Sequence, residues 1–145
     1  YNDTQNISRY GLLYNWHAMN DPRNIAPEGW HLPSEEEIME LMNFLGGDTV
    51  SAGKMKHATM LRWLIPNTGA TNESGFTALP GGYRLDNGTY HTAASNGYWW
   101  STNRSYEMYA WSPRLYTGFA DVKRERYYEN YGFSERCIKD RAGKQ

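Results

Sequence analysis

The stretch GYWWSTNRSYEMYAWSPRLY, residues 97–116, decides how this chain is read. Seven of its twenty residues are aromatic, with Asn, Arg, Ser and Glu set between them. Side chains alternate across a strand. Trp99 and Trp100 therefore cannot share a face, and at least one belongs to a core. GYWWST reads as one strand and YAWSPRLY as another. In the second, Trp111 and Leu115 share one parity and point inward; Arg114 and Tyr116 share the other and point outward. Pro113 has no N–H for a ladder, so that strand is expected to be bent, bulged or at a sheet edge. Outward Tyr and Arg in such density would form a binding hot spot. A solvated face with scattered aromatics is the alternative.

Working toward the N-terminus, RLDNGTYHT sets Asn87-Gly88 between strand-forming residues, a hairpin signal. FTALPGGYRL reads as a strand broken at Pro80-Gly81-Gly82. NTGATNESGF, residues 67–76, has loop composition. PSEEEIMELMNFLGG predicts a helix with Ser34 as N-cap and Glu37 completing a capping box. Ile38, Leu41, Met42 and Leu45 make one apolar stripe, three glutamates suit the positive end of the helix dipole, and Gly46 stops it. A shorter helix is expected over Val50–His57. Toward the C-terminus, RERYYENY (Arg124–Tyr131) reads equally as a second recognition strand or loop and as a polar turn. YGFSERCIKD reads as the last strand. The fold class is α+β: two helices first, packed on a twisted antiparallel sheet with long loops.

The chain has 145 residues, which suits a single domain with one substantial core. No apolar run approaches the roughly 20 residues a bilayer requires, so direct membrane insertion is not expected. No signal peptide is recognisable, and where the sequence begins decides nothing about secretion. Fifteen basic and sixteen acidic residues leave a net charge of −1, which disfavours a nucleic-acid partner. Lys123, Arg124 and Arg126 form a small basic exception. Nine of the twelve tyrosines lie beyond residue 80. Tyr offers stiff, amphipathic contact area at small entropic cost, as recognition surfaces require.

Chemistry is harder to find. The single cysteine, Cys137, excludes an internal disulfide framework and a Cys-only metal site. The four histidines show neither HxH nor HExxH spacing, so zinc is not expected, and His31 within GWHLP reads as a hydrogen-bonded structural residue. ATNESGF lacks the G-x-S-x-G elbow. LDNGTY has one carboxylate, well short of a calcium site. No catalytic residue, metal or cofactor is assigned.

Several motifs together carry a resemblance: GLLYNWHAM, APEGWHLPSEEEIMEL, AGKMK, NTGATNESGFTALPGGYR, GYWWST and GFSERCIKD. They resemble the Fibrobacter succinogenes major paralogous domain of bacterial surface proteins, over about Tyr10–Asp140. That family is similar, more distantly, to formylglycine-generating enzymes, which implies a C-type lectin-like fold. Two positions depart from its pattern. Ala26 stands where the family usually has a cysteine able to pair near the C-terminus, which leaves Cys137 an unpaired, buried thiol. Glu135 stands where an aliphatic residue is preferred. The reactive cysteine pair of the formylglycine-generating enzymes is absent, so the resemblance implies no enzyme activity.

The tail is also similar to the variable proteins of diversity-generating retroelements, through WWST, AWSPRL, Val122, Arg124 and GFSERC. Pro113 departs from that pattern. The resemblance implies a non-catalytic module at a bacterial or phage surface, extracellular or cell-surface in location. It would bind an unidentified protein or glycan, with a homo-oligomer left open. The residues expected to contact the ligand are Asn103, Arg104, Tyr106, Tyr109, Ser112, Arg114, Tyr116, Phe119, Asp121, Arg126, Tyr127 and Tyr128. A fixed carbohydrate-binding adhesin is the alternative.

Overall fold

A computed structural model of the chain describes residues 3–141. The arrangement is α+β, with helices in the first half and small antiparallel sheets after them. Four helices occur there instead of two. α1 (Thr4–Tyr10) starts at Asp3, whose side chain accepts from the Gln5 amide at 2.9 Å, and it buries no residue. α2 (Trp16–Met19) is a single turn, capped by the Asn15 side chain. Neither carries an apolar stripe long enough to be read from periodicity.

α3 (Glu35–Phe44) follows local rules throughout. Ser34 accepts from the Glu37 amide at 3.2 Å, and the Glu37 carboxylate accepts from the Ser34 amide at 3.0 Å. Met42 and Leu45 of its stripe are buried, and Ile38 and Leu41 pack beside them. The Gly46 and Gly47 amides close the last turn on the Asn43 and Met42 carbonyls, and Gly46 takes a left-handed φ of 106°. α4 (Ser51–Met55) is shorter than expected. A Cβ on its Gly53 would collide with the Gly69 carbonyl, so glycine is required where this helix meets the Asn67–Phe76 loop.

The strands are β1 (Trp30–His31), β2 (Tyr83–Arg84), β3 (Tyr90–His91), β4 (Asn96–Tyr98), β5 (Arg104–Tyr106), β6 (Tyr109–Tyr116), β7 (Lys123–Tyr128) and β8 (Ile138–Lys139). β2 and β3 form the expected hairpin around Asn87-Gly88. The FTALPGGYRL and YGFSERCIKD strands shrink to two residues each. RERYYENY divides between the two readings: residues 124–128 belong to a strand, β7, and residues 129–131 turn away from it. β1 pairs with β8, joining the first strand to the last.

β6 is the central strand, which corrects the edge expectation. β7 pairs with it from Tyr109 to Arg114 along one side. Along its other side lie β4, opposite Arg114–Tyr116, and then β5, opposite Tyr109 and Ala110. Pro113 falls in the gap between those two. Its carbonyl accepts from Trp99, one residue past the end of β4. A residue's N and C=O point to the same side of a strand, so the donor Pro113 lacks falls where regular pairing has stopped.

Two apolar clusters flank this sheet. Trp99 joins Met42, Leu45, Met55, Trp63 and Leu115 beside α3 and α4. Trp100 joins Trp16, Met19, Leu32, Tyr98 and Phe133 on the α2 side. Both tryptophans are thus core, on opposite faces, as their parity demands. The indole N–H groups of Trp16, Trp63 and Trp100 donate to the carbonyls of Ser101, Ala78 and Tyr14.

Candidate functional site

The sheet divides the twelve expected contact residues into groups with different surroundings. One face of β6 and β7 carries Tyr109 opposite Tyr128, Trp111 opposite Arg126 and Pro113 opposite Arg124. The Tyr109 and Tyr128 rings lie 6.1 Å apart, and the Arg126 guanidinium sits 5.0 Å from the centre of the Trp111 ring. Stacking of this kind holds a flexible arginine flat against the sheet. The stripe ends where Arg124 reaches α3, near Met39, Glu35 and Asp48. At its other end the β5–β6 turn projects Tyr106, which is 71% exposed, beside Tyr109 at 42%. Met108 in that turn is exposed and holds a φ of 62°. A left-handed methionine is strained, and its carbonyl is fixed by the Glu129 amide at 3.0 Å.

The opposite face of the same strands is turned inward. Ser112 is only 1% exposed and donates to the Pro113 carbonyl, so it presents nothing to a ligand. Tyr127 packs on the Trp100 cluster edge-to-face with Tyr98 and Phe133. Its hydroxyl donates to Glu125, and burial followed by that carboxylate pushes the phenol far above its ordinary value. Arg114 is half-buried, 3.6 Å from Glu125. Sequence parity separates the two faces but does not say which is covered, and here a second layer of aromatics covers the side of Ser112 and Tyr127.

A third group is structural. The Asn103 side chain accepts from the Glu35 amide at 2.7 Å and anchors the start of α3. Arg104 forms a two-pronged pair with the buried Glu129, at 2.5 and 3.0 Å, and lies over the Trp16 ring. That hydrogen bond raises the Arg104 pKa further. Both residues are thus tied into the scaffold, while Arg104, its side chain 51% exposed, keeps one terminal guanidinium nitrogen outside the pair.

The fourth group lies at the far end of β6, roughly 23 Å from Tyr109 at the usual strand rise. Tyr116 and Phe119 are exposed there with rings 5.4 Å apart. Asp121 pairs with Lys123 at 2.7 Å, which holds its carboxyl below the usual range. Beside this turn runs a loop that sequence reasoning missed. Met60, Leu61, Leu64 and Ile65 are all exposed on it, and buried Trp63 roots it. Thr117 ties the two segments together through the Leu64 carbonyl and the Asn67 and Thr68 amides. The one signal in TMLRWLIP was a cluster of aliphatic residues that fits no helical or strand period. Met108 and the half-exposed Trp111 were also missed, because apolar residues in a strand pattern read as core.

Chemically, the Tyr106–Arg126 region can stack, accept and donate hydrogen bonds, and offer a cation. It shows no activated nucleophile. Burial, followed by Glu135, pushes the Cys137 thiol up, away from the reactive thiolate. Cys137 is free and partly buried. Among the described residues, no three His, Cys, Asp or Glu side chains gather as metal ligands. His31 is hydrogen-bonded through both ring nitrogens, to Asp140 at 2.6 Å and Glu37 at 2.8 Å.

Two of three comparisons with known proteins find no match, neither among curated proteins nor among solved structures. A family model described as the Fibrobacter succinogenes major domain matches residues 1–139.

Proposed function

The chain belongs to the Fibrobacter succinogenes major domain family, and on that footing we propose that it is a non-catalytic ligand-binding module displayed at a bacterial or phage surface. The observation that carries this reading is the β5–β6 end of the sheet. Tyr106, Met108, Tyr109, Tyr128 and Arg126 stand at least partly open to solvent there on a strand whose reverse side is locked into the core. A rigid platform of exposed Tyr and Arg loses little entropy on binding. The surface is a ridge along a sheet, and none of the larger cavities described is lined by these residues. A broad surface favours a protein or cell-surface partner over a small molecule.

The pairing of β1 with β8, and the central β6 hairpin sheet, support a C-type lectin-like fold. The sharper form of the proposal is a variable protein of a diversity-generating retroelement, in which the exposed positions of residues 104–128 differ between relatives. Sequencing the DNA around the gene tests it. A near-copy of the segment encoding Gly97–Cys137, differing almost wholly at adenines, is the expected result, and Tyr106, Tyr109, Arg126 and Tyr128 should be among the differing codons. If no such copy exists, the diversified reading is abandoned. Binding of the protein to a glycan array, lost on Tyr106→Ala with Tyr109→Ala, would then favour a fixed adhesin.

A further inference from the structure

The loop TMLRWLIP, residues 59–66, presents a cluster of aliphatic side chains to solvent. Met60, Leu61 and Ile65 are 76%, 78% and 76% exposed, and Leu64 is 54% exposed. Slack chain does not explain this. Buried Trp63 roots the loop, its indole donating to the Ala78 carbonyl at 2.8 Å. The Leu64 amide donates to the Ala94 carbonyl at 2.8 Å, and the Thr117 hydroxyl donates to the Leu64 carbonyl. An apolar patch held out this firmly marks an interaction surface.

Two arginines stand beside it. Arg9, from α1, donates to the Leu61 carbonyl, and Arg62 donates back to the Arg9 carbonyl, both at 3.2 Å. These reciprocal bonds draw two cations together, and neither has a carboxylate partner among the described residues. Each guanidinium has five N–H groups and spends one on these bonds. Residues 4–20 and 49–72 contain neither Asp nor Glu. On the adjoining segments, Glu73 is held by Lys54 at 3.0 Å and Asp121 by Lys123 at 2.7 Å. The surface is therefore both apolar and cationic, and its complement is apolar and anionic. A second copy related by a two-fold axis would set Arg9 and Arg62 against their own images. The loop protrudes, and none of the cavities described is lined by residues 57–66, so there is no groove to take a peptide. A lipid surface suits both halves: its interfacial layer takes protruding aliphatic side chains, and its phosphates accept from guanidinium N–H groups.

We propose that the loop of residues 60–65, with Arg9 and Arg62 beside it, seats this chain on a bilayer surface bearing anionic phospholipid. Six residues fall far short of the roughly 20 that span a bilayer, so the contact is peripheral. Thr117 ties the loop to the end of β6 opposite Tyr109. The seat and the Tyr106–Tyr109 turn are thus at different ends of the sheet, and the proposal stands whether or not that turn binds anything.

The test uses the whole chain at low ionic strength with two sets of vesicles, phosphatidylcholine alone and phosphatidylcholine with about one-third phosphatidylglycerol. The chain should co-sediment with the anionic vesicles and bind the neutral ones about tenfold or more weakly. Arg9→Gln with Arg62→Gln should weaken binding to the anionic vesicles by about tenfold or more. Leu61→Ser with Ile65→Ser should weaken it by at least as much. Methyl-labelled methionine supplies a readout on the wild-type chain. In bicelles of the anionic composition carrying a spin-labelled lipid, the Met60 signal should broaden, while that of Met108, exposed at the other end of β6, should stay sharp. Equal binding to both vesicles, or binding to neither, would overturn the proposal, as would broadening of Met108 in place of Met60. A dimer in sedimentation velocity that Leu61→Ser breaks apart would assign the surface to a second copy and overturn it too.

Discussion

Lys56 is fully enclosed, yet its ammonium meets the carbonyls of Thr68, Tyr116 and Phe119 at 2.9, 3.2 and 2.9 Å, one for each proton it carries. It also lies over the Trp63 ring. The charge therefore acts as an internal tie between α4, the Asn67–Phe76 loop and the turn after β6. Burial lowers its pKa to about 8, and Asp121 offsets this in part. Lys56→Met should cost on the order of 2–4 kcal/mol, since it strands three carbonyls that cannot all find new donors. The sign of its pH dependence follows from linkage. Between about 8 and the ordinary lysine value the unfolded chain holds a proton that the folded chain has released. Stability contributed by Lys56 thus rises with pH across that window. Denaturant unfolding of both proteins should show the gap between wild type and Lys56→Met widening from pH 7 to pH 9.5. A gap that narrows would mean the site prefers the charged form more than water does.

At the scale of elements, β6 and its two neighbours decide which tyrosines are free to act. Tyr106 and Tyr109 belong to the exposed turn, and Tyr127 to the covered face of β7. Replacing Tyr106 and Tyr109 together by alanine should leave the melting temperature within a few degrees of wild type. Tyr127→Ala should lower stability by about 3–5 kcal/mol, the range for removing a large core aromatic. Thermal melts by circular dichroism separate the two. A comparable loss in both would mean that the turn tyrosines also hold the fold. This contrast was only half legible in the sequence. The capping box, the α3 stripe and the limits of β6 are local patterns, and they are where the sequence placed them. The parity of Trp99, Trp100 and Leu115 was equally readable. Which side of β7 faces water depends on Tyr83, Tyr98 and Phe133 arriving from distant segments. No alternation within RERYYENY can report that. Nor could spacing show that Asn103 and Arg104 are spent on Glu35 and Glu129.

For the molecule as a whole, the first strand is joined to the last by the pairing of β1 with β8, and His31 fastens that junction. Its two ring nitrogens address Asp140, beyond β8, and Glu37, in α3. Asp140 and then Glu37 raise its pKa. Both nitrogens donate only in the protonated ring, so the junction is complete below the unfolded-state value and loosens as pH rises through the higher folded value. Amide exchange at Ile138 and Asp140, corrected for its intrinsic pH dependence, should lose protection as pH rises beyond the ordinary histidine value of 6.5. His31→Gln should be weakly protected and flat over that range. Protection that grows with pH would show the neutral ring to be the better clamp. His31 was readable as structural from GWHLP, but its partners lie 6 and 109 residues away and only the fold reveals them.

Trp99 and Trp100 bury their rings in different clusters across one peptide bond. Neither half of the interior can loosen without dragging the backbone that anchors the other. A chain with two separate hydrophobic centres could melt in two stages. Here the shared bond makes the halves cooperate, so the exposed ridge on β6 is either wholly supported or lost with the entire fold.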